Sequence, residues 1–380
     1  MPDTSPLSPP ELLPDGEPAR ARARTPTRPR VPSRKAWLTV WTFGLAFAAG
    51  SLAGTFLVDS CPLELRAPET EPIFRVARAM PRRPDVAAFG SSRFGGSVVP
   101  ERVSARLAGA GVPGALVLNA SIPAGEPVAF DVLLERLAAE GRAPRVAVVE
   151  LSPESVGRGS PWLRGSLVRF LTWRSILKLR PTDIVTAQLQ TFLAESRLIP
   201  FFKHRSELLA WLERGTCFSR LNGTAPRRAA PVAGPVSPAP PPPAPAPPAR
   251  PSTEPAAPPR RGIERMFRNY EPGGLPAEAL RRFLARARAT ETTVVLLGVP
   301  VSSHHRAAYT PAVEAAYRSF LDGIVREAGV TYVERRDLLA DTDFIDGHHV
   351  SPAGAERFSD YFATGLVAPL LRPTADGGAR

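Results

Sequence analysis

The chain has 380 residues, with 48 Lys+Arg against 36 Asp+Glu for a formal charge of +12, 45 Pro and 2 Cys. Two cysteines exclude a disulfide-framework fold and a four-ligand structural zinc site. Nine prolines fall in residues 1–36 and fifteen between Pro226 and Pro259, stretches that cannot pack a core, so the remainder has the length of one large domain.

Residues 1–35 read as a disordered basic tail. They are followed at 36–58 by AWLTVWTFGLAFAAGSLAGTFLV, which carries no charge. As a helix this run spans ~34 Å at 1.5 Å per residue, enough for a bilayer core of about 30 Å, and it has no polar stripe of the kind a soluble core helix keeps. Trp37 and Trp41 suit an interfacial belt. Arg20, Arg22, Arg24, Arg28, Arg30, Arg34 and Lys35 precede the run, whereas Asp59, Glu64, Glu69 and Glu71 dilute the basic residues after it. The expected topology is therefore a single-pass anchor in a bacterial inner membrane, N-terminus cytoplasmic, with the rest of the chain periplasmic or extracytoplasmic. A cleaved signal peptide would have a shorter apolar run, and Asp59 disfavours a lipoprotein reading through Cys61. In an oxidising space Cys61 and Cys217 can form one bridge. The basic tail is accounted for by topology and anionic lipid, so no nucleic-acid partner is expected.

Residues 59–84 read as a juxtamembrane segment and 85–372 as the domain. Asp85 to Gly90 reads as a buried strand entering a Gly turn, Pro100–Gly109 as a helix, Ala115–Asn119 as a second strand, and Pro127–Glu140 as a helix with Phe130, Leu133, Leu134 and Leu137 on one face. Arg145–Leu151 is a third strand. The pattern turns helical over 160–225, broken at Pro181 and Pro200, and passes into a Pro/Ala tract at 226–260 that reads as a disordered loop. A helix at Pro276–Ala289, a strand at Thr292–Val299, a helix at Pro311–Ala328, a short strand at Val330–Glu334 and a last helix from Pro352 to about Leu371 complete the series. Strands alternating with helices at this spacing predict a three-layer α/β/α domain with a parallel sheet, whose chemistry belongs at the carboxyl ends of the strands.

Two groups of residues meet that condition. Gly90-Ser91-Ser92-Arg93 follows the first strand directly, a turn that presents a Ser hydroxyl and backbone N–H groups at the sheet edge. Asp346-Gly347-His348-His349 lies in the last loop before the final helix, where an Asp three residues before a His can orient the imidazole and leave its other nitrogen to take a proton from a Ser. His348 is expected to line the cleft beside the base. Arg93 suits an anionic substrate group and a carboxylate partner equally. His304 and His305 read as a solvated loop.

In this order the two groups resemble the SGNH, or GDSL-like, hydrolase superfamily, over roughly Asp85 to Leu371. The resemblance implies a flavodoxin-like fold, with Ser92 as nucleophile, Asp346 and His349 completing a triad, and the Ser92 N–H in the oxyanion hole. Asn119 matches the family's second block, an Asn-rich loop ending in a Gly that donates to the oxyanion. Aligned on Asn119 that place falls on Ala124, with Gly125 one position later. Either could donate, and side-chain volume favours Gly125. The family's Gly-x-Asn-Asp after the third strand is absent, and Ser152 of Glu150-Leu151-Ser152-Pro153 is the positional substitute.

The G-S-S-R variant, the helical insertion and the membrane helix look most like the envelope branch of that superfamily, similar to proteins of teichoic-acid alanylation and alginate acetylation. The resemblance implies a serine esterase or O-acyltransferase acting on acyl, chiefly acetyl, esters of cell-envelope glycans, with Ser92, Asp346 and His349 catalytic and Arg93, Asn119 and His348 binding substrate. It requires no cofactor or metal, and it leaves room for a membrane acyltransferase partner. The alternative is a non-catalytic envelope scaffold that binds a glycan or such a partner.

Overall fold

The computed structural model describes residues 33–172, 175, 264 and 266–372. Most of the basic tail, the greater part of the 160–225 insertion with Pro181 and Pro200, the Pro/Ala tract at 226–260, and Cys217 with its pairing to Cys61 lie outside the described residues. The chain divides into two units, one ending at Phe47 and one starting at Ala48.

Helix α1 (Arg34–Ser60) contains the uncharged run. It is long and apolar enough to cross a membrane by length and composition, the signature shared by a signal anchor and a signal sequence. Trp37, Leu38, Trp41, Phe43 and Phe56 are exposed on it, while Ser51, Thr55 and Val58 are buried.

Five parallel strands make one sheet: β1 (Val86–Phe89), β2 (Val117–Asn119), β3 (Val146–Glu150), β4 (Thr293–Gly298) and β5 (Thr331–Glu334), in spatial order β2-β1-β3-β4-β5. Parallel pairing aligns Val86 with both Val117 and Val146, and Val146 with Thr293. The order reverses between β1 and β3, where ligand clefts of doubly wound sheets open.

Period-two alternation assigns each strand residue to a face. Ala87, Phe89, Ala147, Val149 and Leu296 join one apolar cluster, whereas Val86, Ala88, Val148, Val295 and Leu297 join the other. The first face is covered by α6 (Pro127–Ala139), by α9 (Gly274–Ala289) and by α11 (Pro311–Ala328). The second is covered by α4 (Ser92–Ser97), α5 (Pro100–Gly109) and α12 (Pro352–Tyr361). Between these lie the short helices α7 (Pro153–Val156) and α10 (Ser303–Arg306), and α8 (Pro161–Phe170), whose Leu163, Leu167 and Phe170 join the first cluster.

The predicted stripe Phe130, Leu133, Leu134 and Leu137 of α6 is buried, and Phe283 of α9 meets Phe89 edge to face with ring centroids 5.2 Å apart. Helix α11 has the bounds its sequence predicts for a local reason. The Thr310 hydroxyl accepts from the Val313 N–H, Pro311 takes the first helical position, and Gly329 ends the helix at φ 65°.

The structure differs from the sequence reading at residues 59–84. That stretch forms α2 (Leu63–Arg66) and α3 (Glu71–Ala79), whose Leu63, Ile73, Phe74 and Ala77 belong to the first apolar cluster. The apolar spacing in EPIFRVARA is helical and one-sided, so the segment is a layer of the core as well as a connection.

Candidate active site

Phe89 and Gly90 bring the chain out of β1 at the sheet's carboxyl edge, and Ser91 then caps α4 by accepting the Arg93 N–H on its hydroxyl at 3.2 Å. The next residue, Ser92, is the first of the helix and stays exposed. Across the edge, the 344–351 loop is closed by a bridge between Phe344 and Val350, and the Ser351 hydroxyl caps α12 by accepting the Gly354 N–H. Each group is therefore held between a fixed strand or bridge and a capped helix.

The two groups meet. Ser92 Oγ lies 2.9 Å from His349 Nε2, and His349 Nδ1 lies 2.7 Å from Asp346 Oδ2. Asp346 Oδ1 also accepts the His349 N–H at 2.8 Å and the His348 N–H at 3.2 Å. Burial alone would raise the Asp346 carboxyl, but the bonds from His349 and His348 outweigh it and bring it down to about 2. Asp346 is thus an anion at neutral pH, and its carboxylate favours the proton on His349 Nδ1, which leaves Nε2 as acceptor from Ser92.

His348 packs beside the base, its ring centroid 4.2 Å from that of His349 and 5.7 Å from that of His305. Burial, with the neighbouring His349 charge second, pushes its imidazole down to about 4. Its Nδ1 is shielded from solvent and has no hydrogen-bond partner among the described residues.

Beneath the Ser turn lies a buried charge network that the sequence reading missed. Glu150, the last residue of β3, accepts the Ser91 N–H at 2.6 Å and the Ser91 hydroxyl at 3.1 Å. The same carboxylate takes Arg93 Nη2 at 2.8 Å and Nε at 3.1 Å. Arg93 Nη1 reaches Glu154 at 3.2 Å, and Glu154 Oε1 also meets His305 Nε2 at 2.6 Å and the Tyr309 hydroxyl at 2.9 Å. Burial works against both charges. Glu154 and Glu150 nevertheless carry the Arg93 guanidinium above its ordinary value, while Arg93 and His305 hold the Glu154 carboxyl below the carboxylate range. A charge ending the apolar strand VAVVE was the available signal, since a carboxylate there is buried and needs a cation.

Four sequence expectations are corrected by this geometry. Arg93 is 3% exposed and engaged by two carboxylates, so it is not presented to substrate. Asn119 donates its amide to the carbonyls of Gly95 and Val98 and accepts the Ser121 N–H, which commits it to bracing the α4 end. Ser152 is buried, caps α7 and accepts from Arg93 Nη2 at 2.9 Å, so its hydroxyl belongs to the charge network and is not exposed beside Ser92. His305, read as solvated, is buried in the network.

Gly125 is corrected in part. Its N–H donates to the Ile122 carbonyl at 3.0 Å and is unavailable to an oxyanion. Its lack of a side chain is still required, because a Cβ there would stand 2.3 Å from the Gly90 carbonyl oxygen. Ala124 precedes it at φ 53°, exposed, and among the described residues no group accepts its N–H or that of Ser92.

In the same loop Glu126 is fully buried, and neither carboxylate oxygen has a hydrogen-bond partner among the described residues. Burial, only partly opposed by the nearby Ser166 hydroxyl, pushes its carboxyl up to about 8.

Neither known protein-family models nor curated proteins give a match to this chain.

Proposed function

We propose that the chain is a serine ester hydrolase or O-acyltransferase of SGNH type, acting on acyl esters, chiefly acetyl, of cell-envelope glycans. The observation that carries this reading is the continuous run from Ser92 Oγ through His349 to Asp346, at 2.9 and 2.7 Å. Residues so remote in sequence converge at hydrogen-bond distance on the edge where parallel sheets do chemistry.

In the proposed reaction the Ser92 oxygen bonds to the ester carbonyl carbon while its proton passes to His349 Nε2. Asp346 stabilises the imidazolium. The carbonyl oxygen becomes an oxyanion, held by the Ser92 N–H and, with Gly125 committed elsewhere, by the Ala124 N–H. Collapse breaks the ester C–O bond, and the leaving alkoxide takes the proton from His349. Acyl-Ser92 is then attacked by a second hydroxyl, whose proton His349 accepts; collapse breaks the acyl–Ser92 C–O bond, and His349 returns the proton to the Ser92 oxygen. Water makes the protein an esterase, and a sugar hydroxyl makes it a transferase.

The envelope substrate rests on α1 with its basic flank, which argues for an inner-membrane anchor with the domain outside. A membrane acyltransferase is the partner this setting suits.

A second reading, a non-catalytic scaffold binding a glycan or such a partner, is favoured by one observation. Of the expected supplementary oxyanion donors, Gly125 spends its N–H on Ile122 and Ser152 is buried against Arg93. Hydrolysis of p-nitrophenyl acetate by the full-length chain in detergent tests the esterase form of the first reading. The triad reading expects turnover that disappears in Ser92→Ala and in His349→Ala. Turnover no greater in the folded wild type than in these variants would leave a transferase that needs its own donor, or the scaffold.

A further inference from the structure

We propose that Asp346, His348 and His349 also form a binding site for one divalent transition cation, of the Zn²⁺ class, and that the bound ion switches the Ser92 triad off. The switching half of this inference rests on the triad reading; the binding half does not.

One ligand atom from each of the three residues lies within 4.8 Å of the others. The more informative distance is that from His348 Nδ1 to Asp346 Oδ1, 3.7 Å. It is too long for a hydrogen bond, which needs about 3.2 Å or less. It is within a few tenths of an ångström of the ~3.4 Å edge that bonds of ~2.0–2.2 Å produce around tetrahedral zinc. His348 Nδ1 is shielded and has no hydrogen-bond partner among the described residues, so a ring nitrogen faces a fixed carboxylate across a gap too long for a hydrogen bond.

The pieces are already held in place. Two backbone N–H bonds fix Asp346 Oδ1, and the 4.2 Å packing of His348 on His349 fixes the ring. Two imidazoles and one carboxylate form a donor set suited to zinc, and the side chains are open enough for entry, at 45%, 35% and 33% exposed for Asp346, His348 and His349. Water from solvent completes a four-coordinate ion.

Inhibition follows from what His349 has to give up. In the resting triad its Nδ1 is committed to Asp346 and its Nε2 to Ser92. Capture of the cation through Nδ1 breaks the orienting bond, and capture through Nε2 removes the acceptor of the Ser92 proton. Either way the nucleophile loses its base.

The test is calorimetric titration of ZnCl₂ into the full-length chain in detergent, purified without a polyhistidine tag, with the visible spectrum of added Co²⁺ as a report of tetrahedral coordination. The expected result is one ion per chain. Affinity should fall in His348→Ala, in His348→Gln and in Asp346→Asn by more than the ~10–100-fold that loss of an outer partner costs. Binding should survive in Ser92→Ala, which removes no ligand. Absence of saturable binding, or equal binding by wild type and both folded His348 variants, overturns the site. Binding without loss of p-nitrophenyl acetate hydrolysis overturns the switch. Binding to a chain with no hydrolysis at all upholds the site and overturns the switch as a control of ester hydrolysis.

Discussion

Glu150 grips Ser91 at both its backbone and its side chain, accepting the N–H at 2.6 Å and the hydroxyl at 3.1 Å, and so sets the residue immediately before the proposed nucleophile. Glu150 ends β3 and Ser91 follows the end of the neighbouring β1, on either side of the point where strand order reverses. The same carboxylate neutralises buried Arg93, so one side chain serves both the turn and the charge beneath it.

Glu150→Gln is therefore expected to do two kinds of damage. Removing one charge from a buried pair costs about 3–5 kcal/mol, which urea unfolding should register as a lower midpoint. In the fraction that remains folded, ester turnover per molecule should also fall, because an amide cannot accept from Ser91 and Arg93 as the carboxylate does. Unchanged stability would mean that Arg93 draws its compensation from Glu154.

Asp346→Asn tests the tautomer argument. An amide in that place can keep the backbone N–H bonds but no longer holds the His349 proton on Nδ1. Loss of the orienting carboxylate in such a triad costs ~10⁴-fold in kcat, and a comparable fall is expected here, read from initial rates of ester hydrolysis above the Ser92→Ala background.

Glu126 predicts a pH dependence of stability. Its folded value, about 8, lies above the ordinary 4.5, so the fold favours the neutral acid. That contribution is complete below about 4.5 and is lost as pH rises through about 8. Glu126→Gln should remove the slope, and the thermal midpoints of variant and wild type should diverge in the variant's favour as pH rises across that window. Parallel curves would show that Glu126 ionises without penalty.

Gly125→Ala should destabilise by about 1–3 kcal/mol and slow turnover, because the new Cβ meets the Gly90 carbonyl at 2.3 Å and both parties are backbone. Gly96→Ala is the matched control in the same neighbourhood. Nothing lies within 4 Å of its Cβ position, and alanine in α4 should be neutral or slightly stabilising. The two Tm shifts should differ in sign or differ severalfold.

The fold was legible where residue pattern and burial coincide. VAVVE and TVVLLG are apolar runs of strand length bounded by turns, and the helix between Thr310 and Gly329 carries its own start and stop signals. Helices α2 and α3 were not legible as core, because charged residues interrupt two short segments and only the spacing of Ile73, Phe74 and Ala77 betrays a buried face. In the site, the meeting of Ser92, Asp346 and His349 was legible because each follows or precedes an element that a parallel sheet places at the same edge. The roles of Arg93, Ser152 and His305 were not, since each is decided by Glu150 and Glu154 across strands, and a single sequence gives no sign of who will face whom. Gly125 was recognised as necessary for the wrong physical reason: its missing side chain matters, and its N–H is spent on Ile122.

Strand β4 pairs directly with β3, residue for residue from Val146 and Thr293 to Glu150 and Leu297, although the whole insertion separates them along the chain. The ladder that positions Glu150 therefore closes a very large ring of polypeptide. The entropy of closing such a ring grows only with the logarithm of its size, roughly 0.6 kcal/mol for each doubling. Segments can be added to or removed from that excursion at little thermodynamic cost, so this is where descendants of the same scaffold can differ most in length while keeping one reaction centre.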